Sequence, residues 1–385
     1  MSLLSRLLSA VSVVGTAGCV AASATLWLRF RQTGAVGTAG EEPTGLSMIV
    51  PLKGIDRRTE EHLEALVAAP VPGAVEYIFA METADDPAYR VCHRVQTHHP
   101  DKAIQLMVAG SAGRRMGKQH NLGAGVRAAR YAVLGSMDAD VRITGDTLAV
   151  GLSVLADRRV GVAYYLPLYR GSGPLGGTVV ALYSNYYYAL NMAGLALLWR
   201  DAPFIIGGLW LMPRTTLERI GGLEQFAGTV SDDAAIGRAV VRQGLRPALV
   251  PRTVAMPMEE LDLSGGIRQL LKWMTILTLW HPVFWSAAAA LTGVQGRSRA
   301  GTMRSLALCG AATTARLASV ALLNRRVYGI AGRRWPLIAV AYELLGAPLL
   351  FGVGLFRSTI AWRGRRYRLG AHGTIQDVTD VPRRV

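Results

Sequence analysis

The hydrophobic positions fall into three regimes along the chain. Leu3–Leu28 is apolar apart from Arg6 and closes on Arg29 and Arg31, which is long enough to cross a bilayer with basic residues on its inner flank. A stretch rich in Gly, Thr and Glu, Gln32–Thr44, then reads as a linker. Beyond it, short apolar runs alternate with amphipathic segments. Leu46–Leu52, Val75–Met81 and Ala132–Met137 have the continuous apolar character of buried strands, and Ile104–Val108 reads as a further strand. Arg57–Ala69, with Thr59 as its N-cap, Tyr89–His98 and Lys118–Ala129 have helical spacing between them. Strand and helix alternating through short connections predict an α/β domain with a mostly parallel sheet covered on both faces.

The third regime begins after Pro257. Leu263–Leu279 places Arg268, Gln269, Lys272 and Trp273 ahead of an apolar run, the pattern of a helix lying at a membrane surface. Three long apolar segments follow, at about Ile276–Val294, Ser305–Asn324 and Trp335–Phe356, and the second contains Arg316. An arginine there requires that the segment hide it from lipid or not span. The domain boundaries predicted are therefore 1–31 for an anchor, 32–262 for the α/β domain, 263–279 for the interfacial helix, 280–357 for membrane segments and 358–385 for a basic cytosolic tail. If all three segments span, the tail falls opposite the α/β domain. The positive-inside rule opposes that, so one of them is expected to be re-entrant or interfacial.

Composition agrees with a membrane protein: 51% of residues are hydrophobic and mean hydropathy is +0.26. A cleaved signal peptide competes with the anchor reading, but no Ala-x-Ala site precedes the arginine flank. Thr16 disfavours a lipoprotein box ending at Cys19. The net charge of +16 would suit nucleic acid. Much of it, however, lies beside apolar segments, at Arg325, Arg326, Arg333, Arg334, Arg357, Arg363, Arg365, Arg366 and Arg368, where basic residues set topology and meet anionic headgroups. No nucleic-acid motif accompanies it, so the bilayer is the expected partner. Cys19, Cys92 and Cys309 are too scattered for a disulfide framework or a metal site.

Chemistry enters at the strand ends. Glu82, Asp86, Asp138 and Asp140 all follow predicted strands, at the carboxyl edge where open α/β sheets bind ligands. Asp138-Ala139-Asp140 offers two hard oxygen ligands with the spacing for Mg²⁺ or Mn²⁺ carrying a diphosphate. An isolated Asp-x-Asp is otherwise a surface turn. Gly207-Gly208 precedes the apolar run of PFIIGGLWLMP and allows close approach of a ligand or another strand. The YSNYYYAL cluster reads as core. Asp233 opens the amphipathic helix Ala234–Gln243, a position that alone reads as an N-cap.

Four motifs in order, Asp85-Asp86-Pro87-Ala88, Asp138-Ala139-Asp140, Ser231-Asp232-Asp233 and Gln269-Leu270-Leu271-Lys272-Trp273, resemble those of membrane-anchored glycosyltransferases of GT-A fold, most closely the ceramide glucosyltransferase family. The likeness runs from Pro51–Asp56 to Ile360–Thr374, and bacterial hopanoid-associated glycosyltransferases share the layout. The resemblance implies a Rossmann-like GT-A domain. It implies donor contacts at Pro51, Lys53, Glu82, Asp86, Lys118, Asn121, Asp138, Asp140, Gln269 and Lys272, with the metal held by Asp138 and Asp140. It further implies Asp233 as general base and acceptor contacts at Gly207, Gly208, Asp232 and Trp273. Lys272 stands where the motif has Arg and loses the bidentate fork on phosphate; Met116 replaces the first Asn of N-x-K-x-x-N-L.

The implied reaction is inverting transfer from a UDP-sugar, UDP-glucose first, to the primary hydroxyl of ceramide. The implied setting is a bacterial-type inner membrane with the catalytic domain cytosolic. Hopanoid, diacylglycerol or polyprenyl phosphate acceptors are the alternatives within enzymes. A non-catalytic scaffold with a degenerate fold is the alternative outside them. A processive polysaccharide synthase and a transporter both fit less well, the first for want of spans and the second for its large polar domain.

Overall fold

The computed structural model describes residues 3–31, 45–170, 174–188, 202–257, 261–276, 290, 293, 299–324 and 335–380. The chain divides into two compact units. One comprises Met1–Gln32, Leu168–Leu198 and Met258–Arg357; the other comprises Thr33–Pro167, Trp199–Pro257 and Ser358–Val385. The linker predicted at Gln32–Thr44 and most of the predicted segment Ile276–Val294 lie outside the described residues.

The second unit is built on a seven-stranded sheet of β1 (Leu46–Pro51), β2 (Val75–Met81), β3 (Ala103–Val108), β4 (Val133–Met137), β5 (Val160–Arg170), β6 (Leu209–Pro213) and β7 (Arg246–Pro257), in the order β3-β2-β1-β4-β6-β5-β7. β1 lies parallel between β2 and β4, and β3 is parallel to β2. The apolar runs of β1, β2 and β4 are buried almost without interruption, as strands covered on both faces require, whereas β3, at the sheet's edge, buries only Ile104. β6 runs antiparallel to β4 and β5. With Met137 opposite Leu209, the amino end of β6 therefore meets the carboxyl end of β4. This reversal brings Gly207-Gly208 to the edge where the acids emerge.

The basic stretch after Arg357 folds. β8 (Thr359–Trp362), β9 (Arg365–Leu369) and β10 (Ile375–Asp380) form an antiparallel sheet. Arg365, Tyr367 and Leu369 point inward and Arg366 and Arg368 outward, the two-residue period of a half-buried strand. This sheet joins the second unit. Thr374 bridges Thr229, the Val230 amide donates to Gly373 O (3.0 Å), and the Ile375 amide donates to Gly228 O (2.8 Å). Arg363 and Arg365 thus pair with acids of the same unit, a different use from the headgroup contact expected of them.

In the first unit, helix Leu3–Arg31 packs along helix Arg299–Leu323. Leu3–Leu28 and Arg299–Leu323 are long and apolar enough to cross a membrane. The predicted Trp335–Phe356 is interrupted: a π-turn at Tyr342–Gly346 separates helices Trp335–Ala341 and Ala347–Leu355. Helix Leu263–Ile276 packs against Leu175–Leu182 and Ala347–Leu355. Its Trp273 ring stacks on Tyr183 (6.0 Å between centroids) and meets Tyr169 edge-on (5.4 Å). The aromatic cluster is core of this unit, held in part by Asn185, whose amide bonds both the N–H and the C=O of Tyr169.

Candidate active site

Asp138 and Asp140 leave β4 at the carboxyl edge, half-buried. The Asp138 amide donates to Gly208 O (2.8 Å), and Lys118 Nζ lies 2.8 Å from Asp138 Oδ1. Asp232 and Asp233 occupy the first turn of helix Asp232–Arg242, with Ser231 at the N-cap position. Asp233 is not the cap; its carboxylate accepts from the Gly207 amide at 2.9 Å. The two glycines thus link the groups through main chain, Gly208 holding Asp138 and Gly207 holding Asp233. Gly208 has φ +114° and tolerates it because it lacks a Cβ.

The electrostatics follow from burying several carboxylates around one ammonium. Burial pushes Asp233 up to about 8, with Asp232 and Asp138 adding and Lys118 and the Gly207 amide opposing. Burial raises Asp140 to about 6, helped by Asp138 and resisted by Arg363 and Lys118. Asp232 is also raised, by burial and Asp138, while Lys118 and the Gln119 amide, which donates to it, pull the other way. Burial works against the Lys118 ammonium, yet Asp138, Asp232 and Asp233 outweigh it and hold its pKa above the ordinary lysine value. Lys118 is therefore the common counter-charge of the cluster.

The other predicted donor contacts hold the loops around this cluster. Pro51 ends β1, and Lys53 pairs with Glu82 at 3.2 Å. Glu82 also receives Arg365 (2.7 Å) and the Ala112 amide (3.1 Å). Burial opposes its ionisation, but the Ala112 amide, Arg365 and Lys53 together hold its pKa below the usual range. Asp86 caps helix Pro87–His98 through the Ala88 amide and also accepts from the Gly54 amide, 2.9 Å each. Buried Asn121 donates to Leu52 O (3.0 Å). Thr59, expected as an N-cap, begins helix Thr59–Val67 and accepts from the Asp56 amide instead. Gln269, Lys272 and Trp273 stand half-buried on helix Leu263–Ile276 in the other unit.

Sequence reasoning passed over four side chains here. Gln119 holds Asp232. His62, depressed chiefly by burial, sets Nδ1 3.1 Å from Ala139 O, inside the Asp138–Asp140 turn. Arg363 pairs with Asp56, and Arg365 pairs with Glu82. Gly364, between two short alternating segments, was the available turn signal. His62 and Gln119 had none.

Two carboxylates at this edge fit a divalent ion of the Mg²⁺ or Mn²⁺ type. Both offer hard oxygens, and Asp140 sits where its charge lacks full compensation. Among the described residues no group of three His, Cys, Asp or Glu could cage an ion alone. The remaining ligands would have to come from substrate phosphate and water, a usual arrangement for Mg²⁺.

The Gly207–Asp233 contact gives a direct test. A Cβ on Gly207 would fall 2.5 Å from Asp233 Oδ2. Gly207→Ala should displace that carboxylate and lower turnover by roughly 100-fold, with nucleotide affinity little changed in steady-state and binding measurements. Unchanged turnover would show that the Asp233 position is immaterial.

An α/β unit whose acids converge at the carboxyl edge of a mostly parallel sheet defines a GT-A-type protein, and two helices of the same chain are long and apolar enough to cross a membrane. Residues 8–375 match glycosyl transferase family 21, and the chain belongs to that family. It is 19% identical over 235 residues to ceramide glucosyltransferase 3 of Caenorhabditis elegans, covering 60% of this chain and 50% of that one. Ceramide glucosyltransferase 1 of the same organism is 19% identical over 246 residues, covering 63% and 52%. The chain thus spans about half the length of the curated relatives it matches. Among solved structures, a mannosyltransferase from Pyrobaculum calidifontis in complex with GDP-Man and Mn²⁺ is similar at TM-score 0.47 and 19% identity, covering 90% of this chain and 96% of that one. Glucosyl-3-phosphoglycerate synthase from Mycobacterium tuberculosis is similar at TM-score 0.37 and 15% identity, covering 59% and 76%.

Proposed function

We propose that the protein is a membrane-anchored, inverting glycosyltransferase that moves a sugar, glucose first among candidates, from its UDP donor to a lipid hydroxyl, with ceramide the leading acceptor. The observation that carries this reading is the joining of Asp233 to Asp138 through Lys118 and the Gly207-Gly208 main chain. One carboxylate held near neutrality by burial, beside a carboxylate pair suited to a metal-bound diphosphate, is the minimum equipment for sugar transfer to an alcohol.

Asp138 and Asp140 would hold Mg²⁺ or Mn²⁺, which when bound supplies positive charge against the diphosphate leaving group. The chain's own residues supply the rest. Asp233 Oδ takes the proton from the acceptor hydroxyl as that oxygen attacks the anomeric carbon. The raised pKa of Asp233 brings it near that of a useful base at neutral pH. The Gly207 amide keeps the carboxylate oriented, and Lys118 keeps Asp138 and Asp233 from repelling one another apart. A single displacement gives a β-glycoside from an α-linked donor. Roles for Gln269 and Lys272 toward the diphosphate and for Trp273, Asp232, Gly207 and Gly208 toward the acceptor belong to the same proposal, as do Lys53, Glu82, Asp86 and Asn121 on the donor side.

Membrane attachment is supported by the two apolar helices. Pro257 and Ser358 both belong to the unit that carries the acids. The chain between them would therefore cross a bilayer an even number of times, so two of the three predicted segments span at most. The basic C-terminal sheet then shares the cytosolic side with the catalytic unit, as the positive-inside rule prefers.

The deciding experiment pairs UDP-Glc, UDP-GlcNAc, UDP-Gal and UDP-GlcA separately with ceramide, diacylglycerol and a hopanoid polyol, using detergent-purified protein and lipid mass spectrometry. Glycosylceramide from wild type is the expected product. Product on another lipid alone would replace the acceptor. UDP binding without any product would favour a non-catalytic scaffold.

A further inference from the structure

The β8–β9 hairpin turns through two residues, Arg363 and Gly364, with φ of +46° and +75°. Positive φ at both positions is the type I′ pattern, which prefers Asn-Gly or Asp-Gly because a longer side chain at the first position is strained. Arg363 is the one non-glycine residue with positive φ among the described residues. Strain of this kind persists where surrounding structure enforces it, most often at binding and catalytic sites.

The surroundings here enforce it from three sides. Arg365, two residues on, is fixed by Glu82 after β2. The strand after the next turn is tied to Gly228–Val230, just ahead of Ser231-Asp232-Asp233. Arg363 itself reaches the loop after β1, where Nη1 and Nη2 lie 3.0 and 2.6 Å from the Asp56 carboxylate. The hairpin therefore spans the loops after β1 and β2 and the segment that carries Asp233. Its tip delivers a guanidinium beside the acids that leave β4, and that charge acts on both Asp138 and Asp140.

A site for a nucleoside diphosphate needs cation to set against phosphate. Lys118 is already committed to three carboxylates and keeps only 16% of its side chain exposed, whereas Arg363 keeps 37%. Arg363 also carries the planar fork that matches phosphate oxygens, with donors beyond the two held by Asp56. We propose that Arg363 is a donor-binding residue whose guanidinium contacts the diphosphate of the nucleotide-sugar, and that the C-terminal hairpin is thereby a working part of the catalytic site. Asp56 holds the fork in place before the donor arrives. The inference rests on the nucleotide-sugar reading of the site.

Arg363→Gly is the discriminating variant, because glycine accepts the turn conformation and removes only the side chain. UDP affinity of the full-length protein, measured calorimetrically with Mn²⁺, should fall by about ten- to a hundredfold, while uridine affinity and thermal midpoint hold or, for the midpoint, rise. Arg363→Lys should recover part of the lost UDP affinity. Wild-type UDP affinity in Arg363→Gly would overturn the proposal. So would an equal loss of UDP and uridine accompanied by a lower thermal midpoint, which would make the hairpin a structural brace. Wild-type protein that binds neither UDP nor any other nucleoside diphosphate would overturn the site reading beneath it, a result separable from failure at Arg363.

Discussion

Asp233→Asn should abolish glycosyl transfer, leave UDP binding largely intact, and make the protein more heat-stable at pH 8. Loss of a general base costs about 10²–10⁴ in rate, and the asparagine oxygen can still accept from the Gly207 amide. The stability effect follows from linkage. Burial raises the native pKa of Asp233 to about 8, above an unfolded value near 4. Such a group contributes stability that is fully present below its unfolded pKa and is lost as pH rises through its native pKa. At pH 8 the wild type carries the cost of a buried charge that the variant lacks, whereas at pH 5 both are neutral there. Thermal melts without nucleotide should therefore separate as pH rises from 5 to 8, by several degrees at the upper end. A catalytic carboxylate that costs stability is an expected compromise between function and folding. Retained turnover would remove Asp233 as base; a lower melting point at pH 8 would mean that its charge is already well compensated.

The sheet was legible where strands carry apolar runs. β1, β2 and β4, covered on both faces, and the edge strand β3 read from those runs, and with them the placement of Glu82, Asp86, Asp138 and Asp140 at strand ends. β5 and β7 did not, because Pro167 in one and Pro247, Pro251 and Arg252 in the other interrupt the pattern by which strands are recognised. The C-terminal sheet was hidden by composition. With Arg365 at an inward position of β9, the alternation of WRGRRYRL looks like a run of basic residues rather than a strand. What the sequence could not supply was pairing at a distance: the Gly207 and Gly208 main chain on Asp233 and Asp138, His62 on Ala139, Arg363 on Asp56. Each joins segments far apart in the chain: the glycine contacts depend on the antiparallel turn of β6, the His62 contact on the parallel pairing of β1 with β4, and the Arg363 contact on the return of the C terminus.

The same holds for Arg316, whose presence in an apolar segment required a hiding place but did not say where. It is 2% exposed and meets Glu343, 1% exposed, through Nη2–Oε2 at 2.9 Å and Nε–Oε1 at 3.3 Å. Nη1 donates to Thr16 Oγ1 (2.8 Å) and Nη2 to Thr313 Oγ1 (3.2 Å). One guanidinium thus joins the N-terminal helix, helix Arg299–Leu323 and the π-turn at Tyr342–Gly346. The double fork and the two hydroxyls satisfy charge that lipid could not. Removing one partner of such a pair strands the other and costs about 3–5 kcal/mol. Glu343→Gln is accordingly expected to be the most destabilising single change in the unit that holds the long apolar helices, read as a lower thermal midpoint and faster proteolysis in detergent. Replacing both, Arg316→Leu with Glu343→Leu, leaves no orphan charge and should recover most of that loss, since apolar replacements of buried pairs are often near neutral. Thr16→Val should cost about 1 kcal/mol. If Glu343→Gln melts with wild type, the pair contributes nothing to holding these helices; if the double variant is no better than the single, the loss comes from packing rather than from stranded charge.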